Sequence, residues 1–255
     1  MQKIVVIMGT ARKKNTYDAL KHFEHGLKEY GEFEFEYIFL HEYHLEFCNG
    51  CLTCLNYGEE KCPFKDDREK LLETLEWADG VVFASPNYAF HVSGRMKNFL
   101  DRFAYFYHRP HFFGKVCTAI VSQGVFGGKK IRKYLESMGE NFGFRPVKGA
   151  CVTTYDPRTE KQNKKMVKTM QKASKRFYKS LQKPRFPSPS LFRLMMFRIS
   201  RNMIKNIDPK YRDHQHFKEK GWFESDYYYD VSFGIGKKIV GKFFDWMGRL
   251  IAKIQ

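Results

Sequence analysis

The sequence predicts an α/β fold: a doubly wound, five-stranded parallel sheet with helices on both faces, followed by a mainly helical C-terminal extension. Three observations lead there. Short apolar runs alternate with longer segments of helical periodicity as far as residue 183. The first run, residues 4–8, has no polar interruption, as in a strand buried on both faces. Unusual loop residues fall directly after strands, at 9–16, 85–90 and 122–128, where such a sheet presents its ligand edge.

In chain order, Gly9 ends the first strand with a tight turn and a helix follows over about 16–30. Residues 33–40 alternate Phe33, Phe35, Tyr37 and Phe39 with acidic neighbours and read as a strand. Asp66 and Asp67 precede Leu71, Leu72 and Leu75, a helix start. Residues 80–84 are a third strand, and 85–88 a loop. Met96, Phe99, Leu100 and Phe103 share one face of a helix over 93–107. Residues 116–122 form a fourth strand, 123–128 a glycine-rich turn, about 130–141 a helix, and 146–154 a fifth strand. A long basic helix over 158–182 buries Met166, Met170, Ala173, Phe177 and Leu181. Pro184, Pro187 and Pro189 then make a linker that no helix can cross. The reading is a domain over 1–183 and an extension over 184–255.

The charge is unevenly placed. Residues 1–155 hold 21 Lys and Arg against 19 Asp and Glu, while 156–255 hold 24 against 9. Any anionic partner is therefore sought in the last hundred residues. No nucleic-acid motif accompanies that charge, and no nucleic acid is expected. The chain opens on a strand and has no apolar run of the ~18 residues that span a bilayer. The expected location is cytoplasmic.

The first loop is an anion site by its chemistry. A strand, the donors of Thr10, Arg12, Asn15 and Thr16, and a helix N-terminus meet there, and unpaired amides and the helix dipole favour a negative group. It is neither a Walker A loop nor a G-x-G-x-x-G turn. Lys13 and Lys14 read as a solvated loop tip, and the glycine pair Gly234 and Gly236 is given no nucleotide role.

Of six cysteines, four follow Cys48-x2-Cys51-x2-Cys54-x7-Cys62. In a cytosolic chain this is a thiol site rather than a disulfide framework. Cluster ligation, free or reversibly oxidised thiols, and zinc with His41 or His44 are the readings, in that order, ahead of buried structural cysteines, since Asn49, Gly50 and the polar segment 56–61 suit a solvated loop. Cys117 and Cys151, in apolar runs, read as buried small hydrophobes.

Taken in order, GTARKKNT, the cysteine loop ending in CPFKDD, ADGVVFASPNYAFHVSGRMKNFLDR and IVSQGVFGGKK resemble the flavodoxin-like NAD(P)H-dependent FMN reductase family, in the branch that includes iron–sulfur flavoproteins. The resemblance covers residues 1 to about 183. It implies FMN, with NAD(P)H as co-substrate. Thr10, Arg12, Asn15 and Thr16 match the loop that holds the FMN phosphate. Pro86, Asn87, Tyr88 and Phe90 match the loop against the isoalloxazine ring, and Ser122, Gln123, Gly124 and Gly128 the loop that closes its other side. It also implies a [4Fe–4S] cluster on Cys48, Cys51, Cys54 and Cys62. No protein nucleophile is needed, so no catalytic residue is named, and His91 and His108 receive no role.

Two segments of the extension are basic and amphipathic. One carries Leu191, Leu194, Met195, Ile199 and Met203 with Arg193, Arg198, Arg201 and Lys205. The other has Ile239, Phe243, Trp246, Met247, Leu250 and Ile254 on one side and Lys238, Lys242, Asp245, Arg249 and Lys253 on the other. They are expected to pack on the core or to complete a homodimer or higher homo-oligomer. The competing reading is peripheral contact with the inner face of a membrane. The aromatic stretch 222–229 between them is too polar for a core strand and suits a cap near a flavin site.

Three functions follow as expectations. The first is an FMN-dependent NAD(P)H oxidoreductase serving a quinone, a metal ion or another small-molecule electron acceptor. The second is an electron-transfer iron–sulfur flavoprotein served by a ferredoxin-like partner. The third is a non-catalytic membrane-surface or scaffold protein on the same fold.

Overall fold

The computed structural model describes residues 1–253. Strands β1 (Gln2–Met8), β2 (Phe33–Phe39), β3 (Gly80–Pro86), β4 (Val116–Gln123) and β5 (Arg145–Thr153) form one sheet in the order β2-β1-β3-β4-β5. All pairings are parallel, and the register sets Met8 beside Phe39 and Ala84, and Pro86 beside Ser122. This is the flavodoxin-like order, with its switch point between β1 and β3. The uninterrupted apolar runs are explained by burial on both faces: Ile4 to Met8 and Val81 to Ala84 are all 0% exposed.

Alternate residues serve opposite layers. Ile4, Val6, Met8, Val82, Ala84 and Ile120 meet α1 (Asn15–Lys28) and α6 (Glu160–Leu181), where Phe23 and Phe177 pack edge-on at 5.6 Å. On the other face Phe83 packs on Phe144, which stacks on Phe112 at 4.4 Å. There α5 (Gly128–Asn141) brings Gly139 against Cys117 and Phe83. The helix start at Thr159 is a full capping box with Gln162.

Several boundaries differ from the sequence reading. β3 continues through Pro86 and β4 through Gln123, so Ser85, Pro86 and Ser122 belong to strand ends. After α3 (Arg68–Trp77), the helix read over 93–107 ends as α4 (Gly94–Arg102). A separate 3-10 turn, Ala104–Tyr107, follows and buries Tyr105 and Phe106. Cys117 is fully buried, but Cys151 is only partly so.

The chain forms two compact units, Met1–Asn49 with Phe64–Lys183, and Gly50–Pro63 with the segment from Pro184 onward. In the second unit the one-turn α2 (Thr53–Asn56) packs on α8 (Arg212–Glu219), and α7 (Leu191–Lys205) packs on α9 (Ile235–Ala252). Its core is aromatic: Phe197, Phe217, Trp222 and Tyr227 are buried. The stretch at 222–229 is no strand but a wall of this core, with the Trp222 indole N–H donating to the Tyr228 carbonyl at 3.1 Å. α8 escapes periodicity because Phe217 is its one buried apolar residue. The apolar stripe of α9 faces outward, with Ile239, Phe243, Trp246 and Leu250 exposed while Asp245 is buried. Ile254 of that stripe lies outside the described residues. Among the described residues no helix is long and apolar enough to cross a membrane.

Candidate functional site

Three loops leave the C-terminal ends of β1, β3 and β4, and each is tied to the others. Gly9 donates its N–H to the Ala84 carbonyl at 2.8 Å, seating the first loop on β3. The Arg12 guanidinium donates to the Tyr88 hydroxyl at 2.9 Å, joining the first loop to the second. The buried hydroxyls of Thr16 and Ser122 share a hydrogen bond of 2.6 Å, joining the first helical turn of α1 to the end of β4. The Asn87 N–H donates to the Ser122 carbonyl at 2.8 Å, and its side-chain amide to the Phe126 carbonyl at 2.7 Å, joining the second loop to the third.

The second loop is a tight two-residue turn. Tyr88 and His91 exchange backbone hydrogen bonds at 3.0 and 2.9 Å around Ala89 and Phe90, both at positive φ, +47° and +62°. Such a turn favours Asn-Gly, so Ala-Phe holds it under strain. The turn presents Tyr88 and Phe90 to solvent, and the Phe90 ring lies 5.1 Å from that of Phe126.

The third loop is fixed from within. Gln123 donates to the Val125 carbonyl at 3.1 Å and the Thr153 hydroxyl at 2.8 Å, and its side-chain oxygen accepts the Gly128 N–H at 2.6 Å. Gly127 has φ +95°, and a Cβ there would sit 2.8 Å from the Phe90 ring. Thr153, Val125 and Phe126 were not singled out by the sequence reading. Val125 and Phe126 contribute backbone carbonyls, which leave no residue-type signal, and Thr153 a single hydroxyl at the end of β5.

Hollows flank the turn at 88–91. One, of about 570 Å³, is lined by Thr10, Arg12, Phe47, Tyr88 and Asn98. Another, of about 810 Å³, is lined by Phe90, Gln123, Phe126, Cys151 and Met166. Of the twelve residues expected at the cofactor site, Thr10, Arg12 and Tyr88 line the first hollow and Phe90 and Gln123 the second. Pro86 and Ser122 are buried in the strand ends, Asn15 is half-buried, and Gly124 is exposed. Lys14 is paired with Asp156 at 2.7 Å, and that hydrogen bond holds the Asp156 carboxyl below its ordinary range.

The cysteine loop is clamped at its two stems. Arg102 and Asp66, with side chains 2% and 1% exposed, form a buried ion pair. Arg102 also donates to the Glu46 carbonyl at 2.9 Å, and Asn98 to the Leu45 carbonyl at 2.9 Å. Asn98 and Arg102, one helical turn apart on α4, are both buried by these contacts. Between the stems, Cys48 and Cys51 are exposed and Cys54 and Cys62 half-buried. Cys48 belongs to the first unit and the other three to the second. Among the described residues no three Cys, His, Asp or Glu side chains converge as a metal centre requires. The Thr53 hydroxyl and N–H hold the Cys51 thiol below its usual range, while burial pushes the Cys117 and Cys151 thiols up. His91 rests its ring 5.2 Å from that of Tyr134, and His108 is exposed.

Comparisons with known proteins bear on family and fold. The model of the NADPH-dependent FMN reductase family matches residues 2–156. An iron–sulfur flavoprotein of Archaeoglobus fulgidus is 35% identical over 148 residues, 57% of this chain and 66% of that one. An iron–sulfur flavoprotein of Clostridioides difficile is 28% identical over 221 residues, 84% of this chain and 94% of that one. The chain spans between 48% and 66% of the length of the first curated relatives it matches. The azoreductase of Bacillus anthracis shares the fold, with a TM-score of 0.55 at 15% identity over 70% of this chain and 100% of that one. The chain belongs to the NADPH-dependent FMN reductase family, beside its iron–sulfur flavoproteins.

Proposed function

We propose that this chain is an FMN-dependent NAD(P)H oxidoreductase that passes electrons from a nicotinamide through bound FMN to a quinone, a metal ion or another small acceptor. The observation that carries this is the mutual bonding of the three edge loops around an unsatisfied group: the Asn87 side-chain oxygen is buried without a hydrogen-bond partner. A buried acceptor left unpaired costs ~1–3 kcal/mol, so a donor from a ligand there is stabilising. The N–H groups of the flavin ring system have that chemistry. The residues present therefore fit FMN.

When bound, FMN supplies a ring that accepts a hydride and releases electrons to the acceptor. The chain binds and orients it. Thr10, Arg12, Asn15 and Thr16, with the first amides of α1, would hold the phosphate; no side chain caps that helix end. Tyr88 and Phe90 would supply apolar surface to the ring, and Gly124, Gly127 and Gly128 close backbone approach. Homo-oligomeric assembly and a cytoplasmic location belong to this reading, as does a separate domain at 1–183.

The second reading is an electron-transfer protein carrying FMN and [4Fe–4S], served by a ferredoxin-like partner. The names of the curated relatives favour it. Among the described residues no three Cys, His, Asp or Glu side chains converge as a cluster requires. No step is routed through one.

The test is FMN titration of purified protein, followed by anaerobic addition of NADPH or NADH and then a quinone. Stoichiometric binding, bleaching by the nicotinamide and reoxidation by the quinone are expected. Bleaching only by a reduced protein donor, together with bound iron and sulfide, would move the assignment to the second reading. A chain that binds no FMN would leave the scaffold role.

A further inference from the structure

Helix α9 is built inside out. The side it turns to α7 is small and polar. Gly241 and Gly248 are buried, and a Cβ on Gly248 would lie 3.0 Å from both Ile199 and Asn202 of α7. Asp245 is buried between two arginines, accepting from Arg198 at 2.8 Å and from Arg201. Asn202 donates to the same carboxylate at 3.1 Å. The opposite side carries Ile239, Phe243, Trp246 and Leu250, which are 64%, 52%, 51% and 43% exposed. Steps of four, three and four residues set these in one stripe.

This orientation is specified by the sequence. Turning the helix over would bury the stripe, but it would strip Asp245 from Arg198 and Arg201, leaving Arg201 without its carboxylate and Arg198 with Asp226 alone. It would also put large rings where the glycines now allow close approach. The helix is therefore anchored by its polar face, and its apolar face is left for another medium.

The charges beside the stripe name that medium. Lys238, Lys242 and Arg249 are exposed, and their spacing of four and seven residues sets them along one flank of the stripe. Asp245, the single acidic residue of α9, is turned inward. A second copy meeting this face about a two-fold axis would bring its own stripe and three more cations, but no acidic residue of α9 to pair with them. We propose that α9 docks on the surface of an anionic phospholipid bilayer. The stripe enters the headgroup–acyl boundary, and Lys238, Lys242 and Arg249 lie on lipid phosphates. Phe243 and Trp246, stacked at 5.7 Å, are the ring types that favour this boundary. The excess of basic residues beyond residue 155 adds long-range attraction of the same sign.

The test is sedimentation of the full chain with vesicles of phosphatidylcholine, with and without phosphatidylglycerol. Binding is expected to the anionic vesicles and not to the neutral ones, and to weaken with salt. I239E/F243E changes only exposed positions and is expected to abolish it. K238Q/K242Q/R249Q is expected to weaken it about a hundred-fold, at about five-fold for each cation. Both variants should keep the wild-type circular dichroism and melting curve. Wild-type protein that stays in the supernatant, or variants that bind like wild type, would overturn the proposal. So would a dimer that binds no vesicle and that I239E/F243E splits into monomers, which would assign the stripe to a second copy.

Discussion

Thr16 and Ser122 lie 106 residues apart in the sequence, and their buried hydroxyls share a hydrogen bond of 2.6 Å. The bond fastens the N-terminus of α1 to the end of β4, so the first and third loops hold one spacing. Thr16→Val keeps the shape and removes the partner of a buried hydroxyl. It should cost ~1–2 kcal/mol in urea denaturation. Adding Ser122→Ala should then cost less than the sum of the two single changes, because the second hydroxyl no longer has a bond to lose. Strict additivity would show that the loops are not coupled through this pair.

Gly9 reports on the seat of the first loop. A Cβ there would lie 2.7 Å from the Ser93 hydroxyl, 3.0 Å from Met96 and 3.2 Å from the Ala84 carbonyl. Ser93 caps α4 by accepting the Met96 N–H at 3.3 Å, so Gly9→Ala presses on that cap as well as on β3. The change should cost ~1–3 kcal/mol of stability. FMN affinity should fall about ten-fold, equivalent to ~1.4 kcal/mol. Lost stability with unchanged FMN affinity would separate the loop from the phosphate.

The turn at 88–91 predicts an opposition between stability and binding. Ala89 and Phe90 both hold positive φ, which Asn-Gly adopts with less strain. A89N/F90G should therefore raise the stability of the flavin-free protein by about 1 kcal/mol. It should also weaken FMN binding, since the exposed Phe90 ring is lost. Thermal melts with and without FMN separate the two effects. A variant improved in both would show that the strained turn has no part in holding the ring.

The strands and the edge loops were legible because burial on both faces writes itself as unbroken apolar runs, as in residues 4–8 and 80–84. Gly9, Asn87 and Gly128 were legible as turn residues, and the structure shows what each one bonds or abuts. The Asp66–Arg102 clamp was not legible, because a charge on a helix reads as solvated until its partner is known. The orientation of α9 was hidden for a related reason. Periodicity separates two faces of a helix but does not say which is inward, and here the Asp245 ion pairs and two glycines decide it against the apolar stripe. The cysteine spacing was visible at once, yet among the described residues no three metal-ligating side chains converge.

The Asp66–Arg102 pair predicts how stability responds to acid. Burial by itself raises the Asp66 pKa, but Arg102 and the N–H groups of Glu46 and Arg68 outweigh it, and the carboxyl is held below its ordinary range. A carboxyl depressed on folding contributes fully above its unfolded pKa of about 3.9 and loses that contribution as pH falls through its folded value. Asp66→Asn leaves the buried Arg102 without its counter-charge and should cost ~3–5 kcal/mol at neutral pH. The difference from wild type should shrink as pH drops below about 4, where wild type loses the same charge. Urea midpoints measured from neutral pH into acid give both curves. Two parallel curves would mean that this carboxylate does not set the acid response.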